Sequence, residues 1–200
     1  MRWTTRDFVT LAVFGALWGM AEMTVGSLIH ALRLPFAGLG VSTLGMLAAL
    51  TGYGFVPRRG AVLVMGLVSA LLKAFSIGSV VLGPMLAIVV EALLAESGLL
   101  LAGGRARRGP LMLAGALAVL WSFLHPFLTV GILGGEGLVE VAQRAARMGA
   151  RVLGLDPQAL ALVLAALVVL HLVAGAVAGS LALDLGRQLT RRRHPGTEQA

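Results

Sequence analysis

Nine side chains able to do polar chemistry lie in or beside stretches that are otherwise apolar: Glu22, His30, Arg33, Lys73, Ser76, Ser79, Glu91, Trp121 and His125. The segment WGMAEM, residues 18–23, places a carboxylate inside an unbroken apolar run. An ionisable group in hydrocarbon costs about 2.5–3.5 kcal/mol on insertion scales unless it faces a wet cavity or a partner, so each is a candidate contact for a polar solute. On a helix, Gly26, Ile29 and Arg33 fall within about 40° of Glu22 and His30 within about 80°. One helix face then runs from a carboxylate outward to an arginine at the mouth. The competing reading is a Glu22 paired with a neighbouring helix for structure alone.

Lys73 is the only lysine in a chain that otherwise uses arginine, fifteen times. Its stem could snorkel to an interface. Its compact ammonium, beside Ser76 and Ser79, could also hold a carboxylate, a phosphate or a ring acceptor. Glu91 falls near the centre of its apolar run. Glu96 lies about 140° further round the helix, which precludes one carboxylate pair. Glu91 is therefore expected at the cavity and Glu96 in a contact nearer the inner end. Trp121, His125 and Phe127 surround Pro126, which frees a backbone carbonyl and bends a helix. His171 reads as a hydrogen-bond donor within the bundle, and Asp184 as a carboxylate capped by Arg187 or another arginine nearby. The convergent polar groups, with aromatic surfaces from Trp18, Phe75, Trp121 or Phe127, suit a small, charged or zwitterionic, planar solute.

The elements that must position these residues are membrane spans. The 200 residues are 58% hydrophobic and only 12% charged, far from the composition of a soluble domain; the mean hydropathy is +0.92. Six apolar runs, near 8–32, 38–56, 60–75, 79–102, 110–134 and 157–186, approach the length needed to cross a bilayer, the third being short. The first run continues well past Ala21 with no cleavage-type site, so it reads as a retained span rather than a signal peptide. Breaks fall at turn or charged sequences such as Pro57-Arg58-Arg59-Gly60 and Arg105-Ala106-Arg107-Arg108-Gly109-Pro110.

Six spans put both termini on one side. That side collects eleven arginines (2, 6, 58, 59, 105, 107, 108, 187, 191, 192 and 193), and the other side only Arg33, Lys73, Arg144, Arg147 and Arg151. The positive-inside rule then makes both termini cytoplasmic. The net charge of +7 is thus topology rather than a nucleic-acid footprint. Residues 136–153 form an amphipathic outer helix between spans 5 and 6. Leu138, Val141, Ala145, Met148 and Val152 share one face, and Glu140, Arg144, Arg147 and Arg151 another. It is expected to lie flat at the outer interface, where it could cover a pocket. Gly15-x-x-x-Gly19 and Gly175-x-x-x-Gly179 allow helices to approach closely. The expectation is a single all-α membrane domain over 1–200, with residues 193–200 a frayed cytoplasmic tail.

In topology, and in the opening TTRDFVTLAVFGALWG, the chain resembles the substrate-binding membrane subunits (S components) of energy-coupling-factor transporters. Ala12-Val13-Phe14-Gly15-Ala16 matches that family's small A-x-x-x-A motif in its first helix. The resemblance implies six helices with cytoplasmic termini in a bacterial plasma membrane. It also implies that Ala12 and Ala16 dock on a transmembrane coupling subunit, and that paired ATPase subunits hydrolyse ATP. Small residues suit such close approach, and these two lie about 80–120° from Glu22, so one face can dock while another holds cargo. There is no G-x-x-x-x-G-K-[ST] sequence, so ATP is not this chain's cofactor. Nor is there the early-histidine sequence of the nickel and cobalt members or a subfamily-specific vitamin motif, which leaves the substrate open; the resemblance implies a vitamin-like solute, and thiamine or its pyrimidine precursor would fit an acidic and aromatic pocket. H-E-x-x-H is absent and the histidines are isolated on separate runs, which argues against an intramembrane enzyme or metal site. A structural or assembly subunit, or a pore, is the main alternative. It requires Glu22 and Lys73 to pair with each other or with another chain.

Overall fold

The computed structural model describes residues 3–28, 32, 36–75, 82–156 and 158–193, with side chains to 191. All elements among the described residues are helical: α1 (Thr5–Ala21), α2 (Ala37–Phe55), α3 (Ala61–Lys73), α4 (Leu82–Leu101), α5 (Arg108–Pro126), α6 (Leu138–Leu153) and α7 (Leu160–Arg193). Two helices change gauge at their ends. α1 continues as a π-helical segment over Glu22–Gly26, and α5 as another over Phe127–Leu133. Five helices are long and apolar enough to cross a membrane: Thr5–Gly26, α2, α4, Arg108–Leu133 and α7. At 13 residues α3 is the short sixth, roughly 20 Å at 1.5 Å per residue.

The helices close into a ring. α1 packs on α3, α3 on α4, α4 on α5, α5 on α7, α7 on α2 and α2 on α1, and α2 also touches α5. Glycines set the tightest contacts. A Cβ placed on Gly179 would come within 2.0 Å of the Leu111 carbonyl, and one on Gly175 within 2.1 Å of the Gly115 carbonyl, so α5 and α7 meet backbone to backbone. Gly15 and Gly19 serve α1 against α3 in the same way, facing Met65 and Leu72. Both expected small-residue motifs are therefore internal packing surfaces.

One end of the bundle gathers the arginines. Asp7 at the start of α1 is 3.4 Å from Arg58 of the α2–α3 turn. Arg58 also lies over the Trp3 ring at 5.6 Å. Tyr53 donates its hydroxyl to the Gly104 carbonyl in the α4–α5 turn at 2.9 Å. Arg108 binds Asp184 of α7 at 2.7 Å, the arginine cap expected for that carboxylate. The start of α1 and the last turns of α7 thus share the arginine-rich end. Thr4 caps α1 with a reciprocal Asp7 bond, a capping box. At α3 the cap comes from elsewhere: Glu96 of α4 accepts from the backbone N–H groups of Gly60 (2.6 Å) and Val62 (3.1 Å). Gly60 stands at φ 84°, a conformation open to glycine, and this turns its N–H toward the carboxylate. Glu96 therefore makes the contact near the arginine-rich end that its position suggested.

At the opposite end, α6 packs on α7 and on the π-helical end of α5. Its buried residues are Val141, Ala146, Gly149 and Ala150. Leu138, Met148 and Val152 of the expected apolar face remain exposed. The small residues face inward because Gly149 meets Val163 and Leu167 of α7 where larger side chains would collide.

Candidate functional site

The site grows from Trp18, one turn before Glu22. Trp18 is fully buried, its ring held between Gly45 of α2 and Gly66 of α3, where a Cβ would come within 2.2 Å and 3.4 Å of it. This packing fixes the neighbouring face of α1. The indole lies toward the Glu22 carboxylate without completing a hydrogen bond, and Nε1 has no partner. At Glu22 the helix widens into its π-helical segment, a departure that often marks functional positions. The Thr24 hydroxyl donates back to the Met20 carbonyl at 2.7 Å within it.

Lys73, in the last turn of α3, reaches across to this widened segment. Its Nζ donates to the Glu22 backbone carbonyl at 3.0 Å and stands 4.0 Å from Glu22 Oε2. Both side chains are largely buried, at 12% and 14% exposure. This contact is the pairing that a structural role for the two residues requires, so Glu22 and Lys73 by themselves do not separate the two sequence readings.

Glu91 has no such pairing among the described residues. It sits near the middle of α4, only 4% exposed. It lies close enough to Glu22 for the two carboxylates to repel each other. Its Oε2 has no hydrogen-bond partner among the described residues, and no cation there forms an ion pair with it. Ser42 of α2 stands beside it without completing a bond, and Ser69 of α3, one turn from Gly66, is equally buried. Both hydroxyls lack partners. Four buried polar groups from four helices (Trp18 Nε1, Ser42 Oγ, Ser69 Oγ and Glu91 Oε2) are thus without partners among the described residues, with Trp18 beside Glu22 and Ser42 beside Glu91 at one locus. A buried polar group left without a partner costs about 1–3 kcal/mol, more when charged.

Trp121 and His125 flank the locus from α5. Gly98 of α4 meets Ala114 of α5, and that antiparallel register sets Glu91 level with Trp121. The Trp121 and His125 rings meet edge to face, with centroids 5.9 Å apart. His125 lies toward the Gly83 backbone at the start of α4, and Trp121 Nε1 and His125 Nε2 are both without partners. Pro126 is followed directly by the second π-helical segment, where the Thr129 hydroxyl takes up the His125 carbonyl at 2.9 Å.

Glu22, Lys73, Glu91, Trp121 and His125 are therefore distributed around one region. His30, Arg33, Ser76 and Ser79 lie outside the described residues. Trp18, Ser42 and Ser69 complete the region. Trp18 entered the sequence reading only as an aromatic surface, and the two serines not at all. Their buried sides follow the helix period, but nothing in sequence ties them to Glu91. His171 stands apart. It donates from Nδ1 to the Leu167 carbonyl of its own helix at 2.7 Å, and it packs on Phe123 and Phe36 at 5.3 Å and 6.4 Å. Ala12 is exposed on α1 and Ala16 half-buried.

A groove of about 390 Å³ opens between α1, α2 and α7, lined by Phe14, Leu44, Ala48, Thr51, Leu185 and Gln188 among others. It holds no ionisable group and lies on the arginine-rich side of Trp18, so it is separate from the polar locus. Among the described residues no group of three or more His, Asp or Glu could hold a metal ion.

No protein-family model matches the chain, and no curated protein or solved structure matches it.

Proposed function

We propose that the chain is the substrate-binding membrane component of an importer of the energy-coupling-factor type. It captures a small polar vitamin or cofactor precursor from outside a bacterial plasma membrane, and partner ATPases drive uptake. The observation that carries this reading is Glu91, a buried carboxyl with no counter-ion among the described residues and the unpartnered Ser42 hydroxyl of another helix beside it. In a purely structural bundle such a group would be a sustained loss of stability. In a binding site it is a recognition element awaiting its ligand. Gathering of the arginines at one end supports cytoplasmic termini, with the Glu22–Lys73 contact toward the outer side. The exposed Ala12 and neighbouring Ala16 offer a face of small residues for a coupling subunit.

A structural or assembly subunit is the second reading, favoured by the Glu22–Lys73 contact. Mass spectrometry of the small molecules that co-purify with the protein separates the two. A solute retained by the wild type and lost in Glu91→Gln is expected on the transport reading. No retained solute, with Glu91→Gln simply more stable, would support the structural one. Ala12→Leu should block complex formation with the coupling subunit while leaving solute retention intact.

A further inference from the structure

Resting on the solute-binding reading, the charge inventory of the locus points to the chemical class of its occupant. We propose that the ligand presents a cationic nitrogen, of amidinium, pyridinium or protonated-amine type, to Glu91.

Among the described residues the locus holds two carboxylates, Glu22 and Glu91, and one ammonium, Lys73. Lys73 is committed to Glu22, through the backbone carbonyl at 3.0 Å and the carboxylate at 4.0 Å. Glu91 is 4% exposed with Oε2 unpartnered, so a cationic donor is the partner that would let this carboxyl hold its charge there. An anionic ligand would add negative charge beside Glu22 and Glu91. A neutral one would meet Glu91 only as an uncharged acid or leave its charge uncompensated. A ligand bearing one positive charge brings the locus to neutrality and fills the carboxylate's open position. The remaining groups suit the rest of such a molecule. Trp121 offers an aromatic surface level with Glu91, on which a delocalised cation is attracted by the ring quadrupole. The indole N–H groups of Trp18, turned toward Glu22, and of Trp121 complete no hydrogen bond among the described residues. They fit a ligand that carries acceptor atoms beside its cationic nitrogen. Ser42 and Ser69 can serve either role.

Three probes of one size and different charge test this: benzamidinium, benzamide and benzoate, titrated into the detergent-purified full chain. The readouts are tryptophan fluorescence and melting temperature. Benzamidinium is expected to bind at least tenfold more tightly than benzamide, and benzoate not to bind. Glu91→Gln should bring the cation-to-neutral ratio close to one while preserving the helical circular-dichroism spectrum. The wild-type ratio decides the charge even if that variant does not fold. Preference for benzoate or benzamide overturns the cation assignment and leaves solute binding standing, as does an unchanged ratio in folded Glu91→Gln. If no probe binds, the charge of the co-purifying molecule decides: a cation upholds the assignment, and a neutral or anionic molecule overturns it. No probe bound and no molecule retained would overturn this assignment and the solute-binding reading together.

Discussion

Removing the Lys73 ammonium should be far more damaging than removing the carboxylate it faces. Coulomb's law at the observed 4.0 Å, with an effective dielectric near 20, gives about 4 kcal/mol of attraction for the pair. The net worth is smaller, because both groups lost water to reach 12% and 14% exposure. The asymmetry comes from the neighbours. In Lys73→Met, Glu22 and Glu91 are left as two buried, mutually repelling carboxylates without a cation, and a loss of about 3–5 kcal/mol is expected. In Glu22→Gln, Lys73 keeps its 3.0 Å bond to the backbone carbonyl and gains Glu91 as the nearest carboxylate, so about 1–2 kcal/mol suffices. Neutralising Glu91 as well, in Lys73→Met/Glu91→Gln, should recover about half of the Lys73→Met loss, since one of the two stranded charges is gone. Equilibrium unfolding in mixed detergent micelles, followed by tryptophan fluorescence, measures the wild type, these three variants and Glu91→Gln alone. Equal losses for Lys73→Met and Glu22→Gln, or strictly additive effects of Lys73→Met and Glu91→Gln, would refute the reasoning. The three side chains would then not share one electrostatic locus.

Glu96→Ala should cost about 2 kcal/mol by stripping the cap from α3, and Glu96→Gln about half of that, because its amide oxygen can still accept one bond. Thermal unfolding of both variants checks the order, and equal losses would mean that the carboxylate's charge rather than its acceptors matters. Gly179→Leu should prevent α5 and α7 from meeting and abolish folding or monodispersity on size-exclusion chromatography. The same change at Gly83, where a Cβ meets nothing within 4 Å, should be tolerated.

Much of the helical pattern was legible in the chain itself. Apolar run length and the arginine-bearing breaks located the long helices and the short third one, because both are local consequences of burying backbone in an apolar medium. The deep carboxylates were legible for the same reason: a charge among leucines is conspicuous in one dimension. What packs on what was not. The amphipathic segment 136–153 was expected to lie flat at the outer interface with Leu138, Val141, Ala145, Met148 and Val152 on one face; of these Val141 is buried, together with Ala146, Gly149 and Ala150, because the space beside Val163 and Leu167 admits only small residues. The A-x-x-x-A and G-x-x-x-G patterns of α1 interleave on one helix, and only the bundle assigns the glycines to α3 and leaves Ala12 exposed.

The sequence by itself determined that this is a helical chain with membrane-type apolar runs, an arginine-rich end, and ionisable groups where lipid would not tolerate them unaided. Only the tertiary structure decided that Lys73 answers Glu22 and not Glu91, that Glu96 caps α3, and that Trp18 stands beside Glu22 and Ser42 beside Glu91. The physical reason is range. Hydropathy and charge act residue by residue along the chain, whereas pairing depends on which helix faces meet, and here close glycine contacts between helices far apart in sequence help to set that.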